Sequence, residues 1–435
     1  MNSHGIAPTR RQVLAAGGLA AGIAPLSGGV ADAAPDNIRE DLERYIAFGM
    51  KASGGAGDNA CGEWLESQLH EQGFEVRRQA LSVPFFDPVR AELTTGNMTA
   101  PVIPQAIVVP TGAAGVSGRL VRLDPALPPD PSLAGAIALI DLPFARRSSA
   151  LEKDVQAGLR AAAAGRARAA VIITNGPTGD AIALNADGNK PMIAIPAAVL
   201  APKRATPFLA AAASGGVGTL FLDGEGGRRA AFNFAGRLDR GKSRWIVVST
   251  PRSGWFTCAG ERGAGVAIWL ALARWAPKVL DGFNLAFLCN CAHEYEYLGA
   301  QQSLQAIAPA PGETALWLAL GAGIAARDWH ELIPPLLPLP SADPQRYLVV
   351  SADVLEETRR AFAGQPGLDA PYETSRFTAG ELTPIQNAFY KTVAGFFMFH
   401  RFHHSQNDDA RCILVEPVRQ VVNGCQTLLM SRAPR

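Results

Sequence analysis

Charge is scarce in this chain and has no preferred sign. Only 18% of its 435 residues are Asp, Glu, Lys or Arg, and 40 basic side chains meet 39 acidic ones. That balance leaves no basic face large enough for nucleic acid, and a chain that is 48% hydrophobic is not disordered either. Long apolar runs are missing too. No stretch of about 18 or more uncharged apolar residues lies beyond the N-terminus, so no membrane span is expected. Cysteine is sparse, with Cys61, Cys258, Cys289, Cys291, Cys412 and Cys425 spread along the chain. This is no disulfide scaffold, and the spacing of Cys289 and Cys291 is not that of a zinc knuckle. Cys289 and Cys291 alternate on an apparent strand and are expected to be small buried residues. What remains is a chain long enough for two or three domains with well-filled cores.

Residues 1–33 read as an address. Arg10-Arg11 stands directly before the weakly apolar stretch Val13 to Pro25, and Ala31-Asp32-Ala33 offers a small-x-small cleavage site. This is the pattern of a twin-arginine export signal, which places the mature protein, beginning near Ala34, in the periplasm or outside the cell.

Beyond it the pattern divides. Asn37 to Val83 predicts a helix, a Gly-rich turn (Ser53 to Asp58), a second amphipathic helix on Trp64, Leu65 and Leu69, and a strand at about Phe74 to Leu81. Residues 91–230 shift to short Val/Ile/Leu runs cut by Gly, Pro and Asp. Strands are expected at Gly118 to Leu123, Ala136 to Ile140, Ala170 to Ile173 and Met192 to Pro196, with an Ala-rich helix at Glu152 to Ala164. That makes an inserted, compact mixed domain without a catalytic constellation. From Ser243 the order is strand (Arg244 to Ser249), Gly-rich turn, helix (Glu261 to Ala276, ended by Pro277) and strand (Asn284 to Cys291). Two apolar strands joined by a helix are a βαβ unit of a largely parallel sheet, so the expected class is α/β with helices on the sheet. The Pro-rich stretch within Trp317 to Pro344 reads as a surface loop.

In such sheets chemistry collects where strands end at their carboxyl edge. Three places put ionisable residues there: Glu261 in Gly260 to Gly265, the pair His293-Glu294, and the cluster His400, His403, His404, Asp408 and Asp409. Imidazoles and carboxylates on separate loops at one sheet edge make a zinc site feasible. Each residue alone has a plainer reading, because a Glu at a helix start complements the dipole and a His beside an apolar run is often a hydrogen-bonded core residue.

The order of these motifs resembles the zinc aminopeptidase family, which includes leucyl aminopeptidases, glutamate carboxypeptidases, glutaminyl cyclases and a metal-free receptor ectodomain. It rests on Ser53-Gly54 to Gly73-Phe74, Trp245 to Val248, Gly260-Glu261-Arg262-Gly263-Ala264-Gly265, Phe287 to Ala300 and His404-Ser405-Gln406-Asn407-Asp408. The resemblance implies a zinc-exopeptidase α/β domain from 34–90 and 231–435, with 91–230 resembling the protease-associated domain found in many relatives. It also implies a site with departures. Pro251 stands where the first zinc's His belongs, Ser253 where that His has its Asp partner, and Gly321 where a later strand carries that zinc's Asp. Glu261 replaces the bridging Asp. His293 takes the general-base position, Glu294 keeps a ligand of the second zinc, and His404 is that zinc's His. The set implied is therefore one zinc on Glu261, Glu294 and His404 with His293 as base. Asp328 and Glu381 are the nearby carboxylates that would compensate for what is missing.

Two function classes follow. One is an exported one-zinc hydrolase or amide-bond enzyme acting on peptides or related small amides. The other is a catalytically inactive descendant that serves as a binding or interaction protein. A serine or cysteine nucleophile at Ser253 or Cys258 is the weaker third idea, because the chain has no Gly-x-Ser-x-Gly elbow.

Overall fold

The computed structural model describes residues 37–127, 131–331 and 336–432, so the export-signal segment lies outside the described residues. Fifteen strands are described: β1 Glu75–Thr95, β2 Met98–Pro104, β3 Val116–Leu123, β4 Ile137–Asp141, β5 Ala169–Ile173, β6 Ala197–Leu200, β7 Val217–Leu238, β8 Trp245–Pro251, β9 Asn284–Asn290, β10 Thr314–Ala319, β11 Arg327–His330, β12 Leu337–Ala342, β13 Tyr347–Val350, β14 Tyr372–Glu373 and β15 Val393–Phe397. The α-helices are α1 Ile38–Ala47, α2 Ala56–Glu71, α3 Lys153–Ala164, α4 Thr206–Ala213, α5 Ala264–Val279, α6 Leu298–Ala306, α7 Leu355–Ala361, α8 Leu382–Asn387 and α9 Val415–Met430. No helix among the described residues is long and apolar enough to cross a membrane.

The parallel part of the main sheet is the run β9-β8-β10-β15, with β7 and β13 antiparallel at its flanks. Both faces are covered, and the two-residue period of the strands divides their side chains between them. Ile246 and Val248 of β8, Leu285 and Phe287 of β9 and Leu316 and Leu318 of β10 enter the core shared with α1, α2, α5 and α9. Their neighbours Trp245, Val247, Ala286, Leu288, Trp317 and Ala319 face the other way, where Leu304 of α6 and Leu382 and Ile385 of α8 cover them.

Strands β1 and β7 are long enough to serve two structures. Their sheet-proximal halves pair at Glu75 to Val83 with Arg229 to Arg237, and their distal halves pair at Ala91 to Thr94 with Thr219 to Leu222. The distal halves are joined through β2, β6, β5, β4 and β3 into a closed ring, because β1 pairs with both β2 and β7. Alternation again divides the side chains: Ile137 and Leu139 of β4 fill the interior with Leu93, Leu120 and Leu220, while Ala138 and Ile140 pack outward beneath Val155 and Leu159 of α3.

Three local expectations change. Met192 to Pro196 is not a strand; Pro196 lends its carbonyl to Ala170 N but has no N–H, so two-way pairing starts at Ala197. Helix α5 runs past Pro277 to Val279, where Arg240 donates to the carbonyls of Pro277 and Leu280 at 2.6 and 2.9 Å and satisfies the helix end. The Pro-rich stretch is not wholly loop: Leu337–Ala342 pairs with β11 in an exposed two-stranded sheet, a setting that tolerates proline.

Candidate functional site

The carboxyl ends of β8, β9, β10 and β15 meet the start of α5, and the loops there are bent hard. Of the eight non-glycine residues with positive φ among the described residues, six (Phe256, Cys258, Ala292, Glu296, Tyr297 and His404) lie in the loops that carry the candidate residues. Strain of this kind persists where surrounding contacts hold it, and it gathers at sites.

Glu261 sits in a π-helical turn, Ala259–Gly263, ahead of α5. Asp408 pins that turn by accepting the N–H groups of Gly260 and Glu261 at 2.6 and 3.0 Å, and His400 Nε2 lies 3.3 Å from the same carboxylate. The Glu261 side chain is fully buried. Its Oε1 is 3.1 Å from His404 Nε2 and 2.6 Å from Arg262 Nη2, and its Oε2 has no hydrogen-bond partner. Burial pushes the Glu261 carboxyl up, but Arg262, His404 and His403 outweigh it and hold the group well below the usual carboxylate range.

His404 and His403 are anchored by the loops that follow β4 and β5. His404 Nδ1 is 2.9 Å from the carbonyl of Ala183, which can only accept, so Nδ1 carries the proton and Nε2 is the nitrogen presented to Glu261. A ring nitrogen facing a carboxylate oxygen at that distance needs a proton or a cation between them. His403 stacks on His404 with ring centres 3.9 Å apart, bonds Ser148 Oγ through Nε2 at 3.2 Å, and leaves Nδ1 buried without a partner. Burial, then His404, drives the His403 pKa well down, which keeps its ring neutral. Donor atoms of Glu261, His403 and His404 all lie within 4.8 Å of one another.

Glu294 is not in that group. Its Oε1 accepts Ser53 N–H at 2.8 Å and its Oε2 accepts Ser253 Oγ–H at 2.9 Å. Ser53 Oγ bonds Ser253 Oγ at 3.0 Å and accepts Ala292 N–H at 2.8 Å, which closes the network that holds the carboxylate. His293 does reach a carboxylate. Its Nδ1 lies 3.1 Å from Glu381 Oε1, and Asn290 donates to Glu381 Oε2 at 2.9 Å. A carboxylate accepts, so Nδ1 carries the proton and Nε2 is left to exchange one. Burial, then Arg262, lowers the His293 pKa. His293, Tyr297, Gly321, Tyr347, Phe397 and His403 are among the residues lining one cavity of about 210 Å³.

The other sequence candidates settle elsewhere. Asp328 pairs with Arg401 at 2.8 Å, outside the cluster. Cys258 Sγ is 3.1 Å from Tyr45 Oη, and Ser253 Oγ is engaged with Ser53 and Glu294, so neither is paired with a histidine base. His400, Asp408 and Cys412 form a second buried group of donors, but both Asp408 oxygens are spent on the α5 turn, which makes this group scaffold. All six cysteines are free and buried. Spacing did not single out His403 as a donor, nor Ser148 and Ala183 behind the two histidines. The adjacency His403-His404 was the available signal for the first; nothing local pointed to the others.

A zinc ion fits the Glu261, His403 and His404 group on two observations: two buried donor atoms there lack partners, and each ring has its far nitrogen fixed by an acceptor.

The sequence matches no protein-family model and no curated protein. The structure resembles a zinc aminopeptidase from Bacillus subtilis, with a TM-score of 0.71 at 16% identity over 91% of this chain and 94% of that one. It resembles a peptidase M28 precursor from Shewanella amazonensis with a TM-score of 0.71 at 18% identity, covering 92% and 93% of the two chains. An aminopeptidase from an Aneurinibacillus strain gives 0.65 at 16% identity over 92% and 94%. The likeness is one of fold: the mixed α/β architecture of these structures is shared over nearly the whole described chain.

Proposed function

We propose that this protein is an amide-bond hydrolase of aminopeptidase type, acting on peptides or related small amides with one zinc held by Glu261, His403 and His404. The observation that carries the reading is the pair of partnerless buried donors, Glu261 Oε2 and His403 Nδ1, in a cluster that also receives His404. When bound there, zinc supplies a Lewis acid and lowers the pKa of its water. The chain supplies the rest. His293, oriented by Glu381, has the free Nε2 needed to take a proton from water and return it to the leaving amine. Glu381 holds the ring in that tautomer and stabilises its charged form. The cavity that His293 and His403 both line is small and walled partly by Tyr347, Phe397 and Met398, which favours a single side chain or acyl group over a folded partner.

Elemental analysis of protein purified without chelators or a polyhistidine tag tests the reading. About one zinc per chain is expected, lost in His404→Ala and His403→Ala, with amide hydrolysis lost in His293→Ala while the zinc stays. The second reading, a binding protein without catalysis, is favoured by the neutralisation of Glu261 by its own neighbour Arg262. Absence of zinc and of hydrolysis in the wild type would decide for it. Export is part of the proposal and rests on Arg10-Arg11 and the residues up to Ala33. A reporter fused behind residues 1–33 that stays in the cytoplasm would remove that part.

A further inference from the structure

Arg262 follows Glu261 in the same turn, and its side chain is 1% exposed. Nε donates to the carbonyl of Ser253 at 3.2 Å and Nη2 lies 2.6 Å from Glu261 Oε1, yet neither Nη1 nor Nη2 makes a well-formed hydrogen bond. A buried charge with free N–H groups is costly and calls for a reason. Its surroundings supply one. Pro251 ends β8 and Gly321 follows the end of β10; the family resemblance puts a first zinc's His and Asp at these two positions, and neither side chain here is a metal donor. The field of Arg262 reaches Glu261, Glu381, His293 and Tyr297, the groups around the cavity and the cluster.

We infer that Arg262 is a built-in cation: its guanidinium takes the electrostatic place of the missing first metal beside Glu261 and limits the cleft to one bound ion. The arrangement is self-consistent. Glu261 Oε1 meets both the guanidinium and His404 Nε2, at 2.6 and 3.1 Å, while Oε2 is left without a hydrogen-bond partner. A positive charge fixed on that carboxylate also weakens the remaining site for a dication, so the single ion is held less tightly than its donors alone would allow. The inference rests on the one-zinc reading for what the second half binds, and on the ion pair alone for what Arg262 is.

Zinc affinity, measured on the full chain by competition with a chromophoric chelator, separates a cation from a mere scaffold. Arg262→Gln is expected to bind zinc at least tenfold more tightly than wild type, and Arg262→Lys, which keeps the charge, to stay within about threefold of it. If Arg262 only ordered Glu261, both variants would bind more weakly. Weaker or unchanged binding in Arg262→Gln, or equal tightening in Arg262→Lys, overturns the inference. A wild type without zinc would sink the one-zinc reading, and this inference would then require Arg262→Gln to gain an ion; failure to gain one overturns it too. Should Arg262→Gln not fold, Arg262→Met, which keeps the stem and drops the charge, gives the same comparison.

Discussion

The two halves of the cleft differ although they end the same sheet. On the β15 side, two stacked histidines are fixed by Ser148 and Ala183 and face a carboxylate with a free oxygen. On the β8 and β10 side there are a proline, a glycine and the buried Arg262, paired with Glu261 at 2.6 Å, whereas Arg252 turns into the core, where it pairs with Asp58 at 2.9 Å and lies over the Phe232 ring. One half keeps donors waiting for a cation; the other has built a cation into the chain. The difference teaches that losing a metal ligand is not the same as leaving a vacancy. A dication about 4 Å from a guanidinium would meet roughly 8 kcal/mol of repulsion at an effective dielectric of about 20, enough to keep metal out of the filled half unless acids there offset it.

The sharpest way to break the comparison is to reopen the filled half. A Cβ on Gly321 would lie 2.1 Å from the carbonyl oxygen of Phe396, a backbone atom that cannot swing aside. β10 and β15 would have to part, so Gly321→Asp is expected to yield no folded protein, and Gly321→Ala to lose more than about 4 kcal/mol in denaturant unfolding, the range reserved for severe steric defects. An unfolding midpoint like that of the wild type in Gly321→Ala would show that the half is still open.

Next in size is the other buried arginine. Asp58→Asn leaves Arg252 charged with no acid beside it, and breaking a buried pair from one side costs about 3–5 kcal/mol. Burial, against the pull of Arg252, pushes the Asp58 pKa up to about 6. A carboxyl raised in the folded state binds a proton there before it does so unfolded, so its contribution to stability falls as pH rises from about 4 to about 6. Unfolding free energies across that window should show this slope in the wild type and lose it in Asp58→Asn.

How much of this was legible in the sequence depends on range. The alternation in β8, β9 and β10 and the position of Glu261 at a helix start follow from residues a few places apart, and the order of motifs carried the fold and led to His404. The anchors of the two histidines lie 255 and 221 residues away in the chain, in a stretch that has no catalytic pattern of its own, and no spacing rule connects them. Arg262 was in plain view beside Glu261, but the direction of a long side chain is set by what the other strand ends leave empty. Glu294 was placed by its motif; its orientation is decided by Ser53 and Ser253, each a single hydroxyl or N–H with no signature.

A smaller change sharpens the half that keeps its donors. Ser148→Ala removes the acceptor from His403 Nε2 and lets the ring choose its tautomer, so zinc affinity is expected to fall by about 10–100-fold, the usual cost of losing an outer hydrogen bond to a metal-bound histidine. Ser148→Thr should restore most of it. Unchanged affinity in Ser148→Ala would mean that the loop after β4 only walls the cleft.

The smallest expected effect falls on Glu294, one of the three ligands that the motif order implied. In Glu294→Gln the amide oxygen can still accept from Ser53 N–H, and the amide N–H₂ can donate to Ser253 Oγ, which turns to accept it. Stability should drop by about 1 kcal/mol, the difference between a charged and a neutral acceptor, and zinc affinity should stay within about threefold. The outcome bears directly on the contrast between the halves. If Glu294→Gln sheds zinc while His403→Ala keeps it, the carboxylate must leave Ser53 and Ser253 to reach the ion, and the donor half would then be assembled by the metal instead of standing ready for it.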